Sequence, residues 1–122
     1  MHITDDRALE YIADYFRALS EPLRLRIVNI LRSEGERNVG ELTERLGCSQ
    51  ANVSKHLSLL TKQGLVAREN RGTAAYYRIE DPAIFALCDL VCGQLGRRFA
   101  DQAELGRLFA QSPNPPRRRS RS

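Results

Sequence analysis

The chain has 122 residues, with 19 Lys+Arg against 15 Asp+Glu and a formal charge of +4. Four of the arginines, Arg117, Arg118, Arg119 and Arg121, fall in the last six residues, so residues 1–116 carry 15 basic and 15 acidic groups. The total charge therefore describes a tail, and it does not by itself license a nucleic-acid-binding reading.

Taken in chain order, residues 5–19 form an amphipathic helix, with Leu9, Ile12, Ala13, Phe16 and Leu19 at helical spacing. Asp5 and Asp6 suit its positive N-terminal end. Ser20-Glu21-Pro22 reads as a cap followed by a proline in the first turn of a second helix, about 21–33, that buries Leu23, Ile27, Ile30 and Leu31. Gly35 ends it, and Arg37-Asn38-Val39 is a short extended link. A third helix, about 40–46, turns Leu42 and Leu46 inward and stops at Gly47. Ser49 then caps a fourth helix, about 50–63, whose buried stripe is Val53, Leu57 and Leu60. After Gly64 the period changes from helical to alternating. Residues 65–69 and 75–79 read as two strands around the turn Asn70-Arg71-Gly72-Thr73. Asp81-Pro82 opens a long helix to about residue 110, carrying Ile84, Leu87, Cys88, Val91, Leu95 and Phe99. Residues 112–122 contain only Pro, Arg, Ser and Asn, and are expected to be a disordered tail behind a domain spanning 1–111.

The order of four helices, a hairpin and a long helix predicts a mainly α fold with a small β-hairpin. Two short helices joined through Gly47 form a helix-turn-helix, and the hairpin after them makes it winged. Charge divided by segment supports that reading. Residues 1–44 carry 6 basic and 9 acidic groups, residues 45–79 carry 6 basic and one acidic, and residues 80–110 carry 3 basic and 5 acidic. Positive potential is thus expected on the helix-turn-helix and wing, where a phosphate backbone would be met. Ser49, Gln50, Asn52, Ser54 and Lys55 occupy the first turns of the fourth helix. Gln and Asn can bond adenine bidentately in the major groove, and Ser and Lys suit phosphates or guanine edges. His56 fits a phosphate contact or a surface position better than a metal site. Arg71 at the hairpin tip can reach a phosphate or the minor groove. A solvated polar helix face is the bland alternative. A protein-docking winged helix is another, which would show an apolar outer face on the fourth helix.

No histidine base stands by Cys48, Cys88 or Cys92, and the chain has no glycine-rich phosphate loop, so an enzyme is not expected. No apolar run approaches the roughly 20 residues that span a bilayer. Met1–Asp6 lacks a signal peptide's features, and three cysteines without such a signal point to reduced thiols in the cytoplasm.

The strongest stretches are Leu19-Ser20-Glu21-Pro22-Leu23-Arg24-Leu25-Arg26-Ile27, Val39-Gly40-Glu41-Leu42, Ser49 to Leu60, Gly64-Leu65-Val66 and Arg71 to Arg78. In their order and spacing they resemble the ArsR/SmtB family of small winged-helix repressors, over about residues 8–98. The resemblance implies a homodimer pairing through the first and last helices, an inverted-repeat DNA operator, and an inducer that weakens DNA binding. The family's usual sensor positions are poorly filled. Val39-Gly40-Glu41-Leu42 stands where a cysteine pair would hold a metalloid, and the last helix has no histidine for an interhelical metal site. What remains is Cys88 and Cys92, four residues apart on one helix face. Thiolates suit soft metal or metalloid ions and can also be oxidised or persulfidated. The competing reading makes both cysteines small buried hydrophobes.

Overall fold

The computed structural model describes residues 2–110, so the boundary expected at 111 and the tail beyond it lie outside the described residues. Its elements run α1 (Asp6–Ala18), α2 (Pro22–Glu34), β1 (Arg37–Asn38), α3 (Val39–Leu46), α4 (Gln50–Lys62), β2 (Val66–Arg71), β3 (Ala74–Ile79), α5 (Ala83–Arg98) and α6 (Ala103–Ala110). The chain divides into two compact units, Met1–Asp81 and Pro82–Ser122.

In the first unit the helix ends are fixed by short polar side chains. The Asp5 carboxylate accepts from the Arg7 amide at 2.8 Å. Asn38 and Glu41 form a reciprocal capping box at the start of α3, with bonds of 2.8 and 2.9 Å. Ser49 accepts from the Asn52 amide at 3.1 Å and starts α4; such a cap is worth about 1 kcal/mol. Between α3 and α4 the chain must turn within three residues, and Gly47 begins the turn with φ 69°, a conformation that costs a side-chain-bearing residue. The cap expected of Ser20 is not made. Its hydroxyl donates back to the Arg17 carbonyl at 2.7 Å, and Glu21 takes the N-cap position with Pro22 next.

The helix-turn-helix is held by Ile27, Leu42, Val53, Leu57 and Leu60, all fully buried. Each such side chain contributes about 1.5–3 kcal/mol relative to exposure. The stripes read on α3 and α4 are therefore core. The stripe on α1 has a different fate: Leu9, Ala13 and Phe16 stay exposed and Ile12 and Leu19 are half-buried, while outside it Ala18 is buried and Tyr11 is exposed.

The expected two-stranded hairpin is a three-stranded antiparallel sheet in the order β1-β3-β2. The link read as merely extended supplies the third strand, Arg37 pairing with Tyr77 and Asn38 with Tyr76. A two-residue strand has no alternation to betray it, and its pairing is non-local. The turn is also tighter than expected. Arg71 pairs with Ala74, leaving Gly72-Thr73 as a two-residue turn with Gly72 at φ 64°.

In the second unit the single long helix expected to residue 110 is two helices, α5 and α6, separated by Phe99 to Gln102. The chain reverses because side-chain packing between the two pieces outweighs helix continuity. Phe99 stacks on Phe109 with ring centroids 6.0 Å apart. Gly96 lies where a Cβ would meet Phe109 at 3.4 Å, and Gly106 where one would come within 3.0 Å of the Phe99 carbonyl. Apolar periodicity runs through the break, so it hides it; the glycines at 96 and 106 are its signal. Within the stripe Ile84 is buried but Val91 is exposed, and Leu90, which lies off the stripe, is more exposed still.

Candidate nucleic-acid interface

The α4 helix presents three sides outside its buried stripe. Gln50, Ser54 and Ser58 follow one another at i, i+4 spacing, and Ser54, Ser58 and Lys62 line a groove against the wing. Lys55 and Lys62 lie outward and exposed. Asn52 and His56, again four apart, occupy the side towards α2. The seven residues expected to meet DNA are therefore not one surface. Ser49, Gln50, Ser54 and Lys55 share the N-terminal and wing-facing part of α4; Asn52 and His56 are on its other flank, and Arg71 is on the sheet. The Ser49 hydroxyl is used as an acceptor by the cap but keeps its own hydrogen free to donate.

His56 is half-buried and bonded: Arg24 Nη1 approaches its Nδ1 at 3.0 Å. Because a guanidinium only donates, Nδ1 is the acceptor and the ring proton sits on Nε2. Burial, and then the Arg24 charge, hold the His56 pKa below its ordinary value. Arg24 is itself buried and also donates to the carbonyls of Ala18 at 2.7 Å and Arg17 at 3.3 Å. One guanidinium thus closes the C-terminal end of α1 and props α4 from behind. Sequence reasoning missed this residue. Its signal was periodicity, since Arg24 precedes Ile27 and Val28 by three and four positions on the buried face of α2.

The wing has two unlike faces. Antiparallel pairing puts opposed residues on the same side of a sheet. Arg68 and Tyr77 are opposed, and both line the groove against α4. Glu69 with Tyr76, Ala67 with Arg78, and Arg71 with Ala74 occupy the other side. There the charges satisfy one another. Arg71 Nη2 donates to Glu36 at 2.9 Å and to Glu69 at 3.0 Å, and its guanidinium lies 4.7 Å from the centre of the Tyr76 ring. Arg78 is 3.7 Å from Glu69. The Arg71 hydrogen bond pulls the Glu69 carboxyl below the usual carboxylate range, and the two carboxylates raise Arg71 in return. Arg45 is ion-paired with Glu34. The positive excess read over residues 45–79 is therefore partly cancelled by Glu34 and Glu36, which precede that segment in sequence and fold against it. Lys55, Lys62 and Arg68 keep their charge with no carboxylate partner among the described residues.

Cys88 and Cys92 are half-buried thiols on α5, neither of them in a disulfide among the described residues. Cys92 lines a groove of about 520 Å³ between α5 and α6, beside Arg97, Arg107 and Phe109, and Cys88 is not among its lining residues. Cys48, also half-buried, donates to the Leu46 carbonyl at 3.6 Å, in keeping with a structural role at the turn. Among the described residues no three His, Cys, Asp or Glu side chains are grouped to hold a metal ion, and no helix is long and apolar enough to cross a membrane.

Residues 21–68, from the start of α2 into the wing, match the family model of bacterial regulatory proteins of the arsR family. The chain is 32% identical over 87 residues to the arsenical resistance operon repressor of Bacillus subtilis, covering 71% of this chain and 83% of that protein. It belongs to the ArsR family. A second relative, the HTH-type transcriptional regulator Rv0081 of Mycobacterium tuberculosis, is 35% identical over 91 residues, 74% of this chain and 79% of its own length. The crystal structure of Rv0081 superposes with a TM-score of 0.70, covering 79% of this chain and 96% of that one. A homodimeric winged helix-turn-helix DNA-binding domain from Mycobacterium bovis, described as a possible ArsR-family regulator, matches with a TM-score of 0.64 at 31% identity. It covers 84% of this chain and 92% of that domain. Like these relatives, the ArsR-family chain is a transcriptional regulator with a winged helix-turn-helix, not an enzyme.

Proposed function

We propose that this ArsR-family chain is a cytoplasmic, sequence-specific repressor that binds an inverted-repeat operator as a homodimer. The observation that carries the reading is the N-terminal half of α4. Gln50, Asn52 and Lys55 stand exposed on a helix whose opposite side is locked by the fully buried Val53, Leu57 and Leu60. A rigid helix with Gln and Asn near its start is suited to base edges in the major groove. Dimerisation through α1 and the last helices is supported by the apolar side chains each leaves uncovered, Leu9, Tyr11 and Phe16 on α1 and Leu90 and Val91 on α5. A two-fold dimer would in turn call for a palindromic site.

Release from DNA is assigned to a thiophilic ligand or oxidant acting at Cys88 and Cys92. The two thiols lie one turn apart, and Cys92 borders a groove. Two thiols do not by themselves complete a tetrahedral zinc site or a three-sulfur arsenic site. No third donor is grouped with them among the described residues, so a bound ion would draw further ligands from a partner chain or from solution.

Selection from a random duplex pool tests the DNA reading. The wild-type protein is expected to enrich an inverted repeat. Gln50→Ala with Asn52→Ala should lower the preference for that repeat by at least about tenfold, since a good base contact is worth roughly 1–3 kcal/mol. Sedimentation should show the variant still dimeric. Undiminished preference in that variant would remove α4 as the reading element.

A further inference from the structure

The groove between α4 and the wing has a volume of about 510 Å³, and Ser54, Ser58, Lys62 and Arg68 stand around it beside Val39 and Tyr77. Lys62 and Arg68 approach it from two different elements, and neither has a carboxylate partner among the described residues. Ser54 and Ser58 add two hydroxyl donors on the same side of α4. The opposite face of the wing offers nothing comparable, because Arg71 is committed to Glu36 and Glu69 and Arg78 lies beside Glu69.

We infer that this groove seats the phosphodiester backbone of one DNA strand, and that the wing grips DNA by its base through Arg68 rather than by Arg71 near its turn. The inference rests on α4 being the recognition helix. With α4 in the major groove, the strand bordering that groove runs alongside the helix, where Ser54, Ser58 and Lys62 recur at i, i+4, i+8. Unpaired cations gain by displacing condensed counterions from phosphates, whereas Arg71 must first surrender two carboxylates and its place over the Tyr76 ring. Hydroxyls and ammonium groups fix register on a phosphate strand without reading sequence. An acidic protein segment would satisfy the charges too, but a groove continuous with the polar start of α4 favours the ligand that α4 itself meets.

The test uses full-length protein and two fluorescent duplexes of equal length, one carrying the selected repeat and one of random sequence, over a salt series. Lys62→Ala/Arg68→Ala is expected to weaken both duplexes by the same factor, roughly 10–100-fold, and to flatten the dependence of log K on log[salt] by about 0.9 for each phosphate no longer neutralised. The ratio between the duplexes should persist. Arg71→Ala should leave the salt slope unchanged, and Lys62→Arg/Arg68→Lys should restore it, which a merely structural role would not predict. An unchanged slope in the alanine variant overturns the inference, as does an equal weakening in Arg71→Ala. So does an alanine variant that no longer binds a poly-glutamate peptide while keeping its DNA affinity. Wild-type protein with no preference between the duplexes, but a slope that still responds to Lys62 and Arg68, would sink α4 as a base reader and leave the groove standing. Failure to bind either duplex would overturn both.

Discussion

The two units of this chain make opposite use of their apolar residues. In Met1–Asp81 the periodic apolar positions of α2, α3 and α4 become a closed core, with Ile27, Leu42, Leu57 and Leu60 at 0% exposure. In the second unit a stripe just as regular leaves Val91 at 48% exposure, and Leu90 beside it on α5 stands at 71%. The difference shows that an apolar stripe states a demand for cover without naming what supplies it. Inside the helix-turn-helix the supplier is the same chain. On α5, as on α1, apolar side chains stay uncovered among the described residues, and the proposed dimer would supply their cover.

The contrast can be broken most sharply by truncating one residue of each kind. Leu57→Ala should destabilise the protein by about 2–5 kcal/mol, with loss of cooperative unfolding as the extreme outcome. Leu90→Glu should leave the denaturation midpoint of the dissociated chain nearly unchanged, yet shift sedimentation from dimer to monomer. Equal destabilisation by both would show that α5 is covered within its own chain.

The next effect concerns function. Cys88→Ser/Cys92→Ser should retain operator binding but lose release by arsenite, cadmium or polysulfide in a gel shift. Because Cys92 borders the α5–α6 groove and Cys88 does not, Cys92→Ser alone should lose most of the response. A response unaltered in the double variant would take the thiols out of the mechanism.

The smallest effect is a pH dependence of the first unit. The folded-state pKa of His56 is depressed by burial and by Arg24. Its contribution to stability is therefore fully present above the ordinary histidine pKa of about 6.5 and is lost as pH falls from there through the lowered folded value. Protonation would also end the bond that Nδ1 accepts from Arg24. The wild-type protein should lose stability between pH 7 and 5 faster than His56→Gln, followed by urea midpoints; parallel curves would show that the contact is energetically silent.

Much of the interface is legible in the residues themselves. Gly47, the Ser49 cap, the Val53/Leu57/Leu60 stripe and the polar start of α4 are local signals, because turn geometry, capping and helix period operate within a few residues. The hairpin is legible for the same reason, although its turn is tighter than Asn70 to Thr73 suggests. The C-terminal stretch that reads as one long helix is two, since apolar periodicity is indifferent to a break that Phe99, Phe109 and two glycines create by packing.

Charge shows the division most clearly. Sequence alone determined that the net +4 belongs to Arg117 to Arg121 and that residues 45–79 hold an excess of cations, because counting needs no fold. Only tertiary structure decided which of those cations remain available. Glu34 and Glu36, at the end of α2 and just beyond it, neutralise Arg45 and help neutralise Arg71. Strand alternation turns Arg68 towards α4 and Arg71 away from it. A Coulomb interaction depends on distance in space, and segments remote in sequence set that distance, so the tally along the chain could locate the positive region but not the groove where its charge stays free.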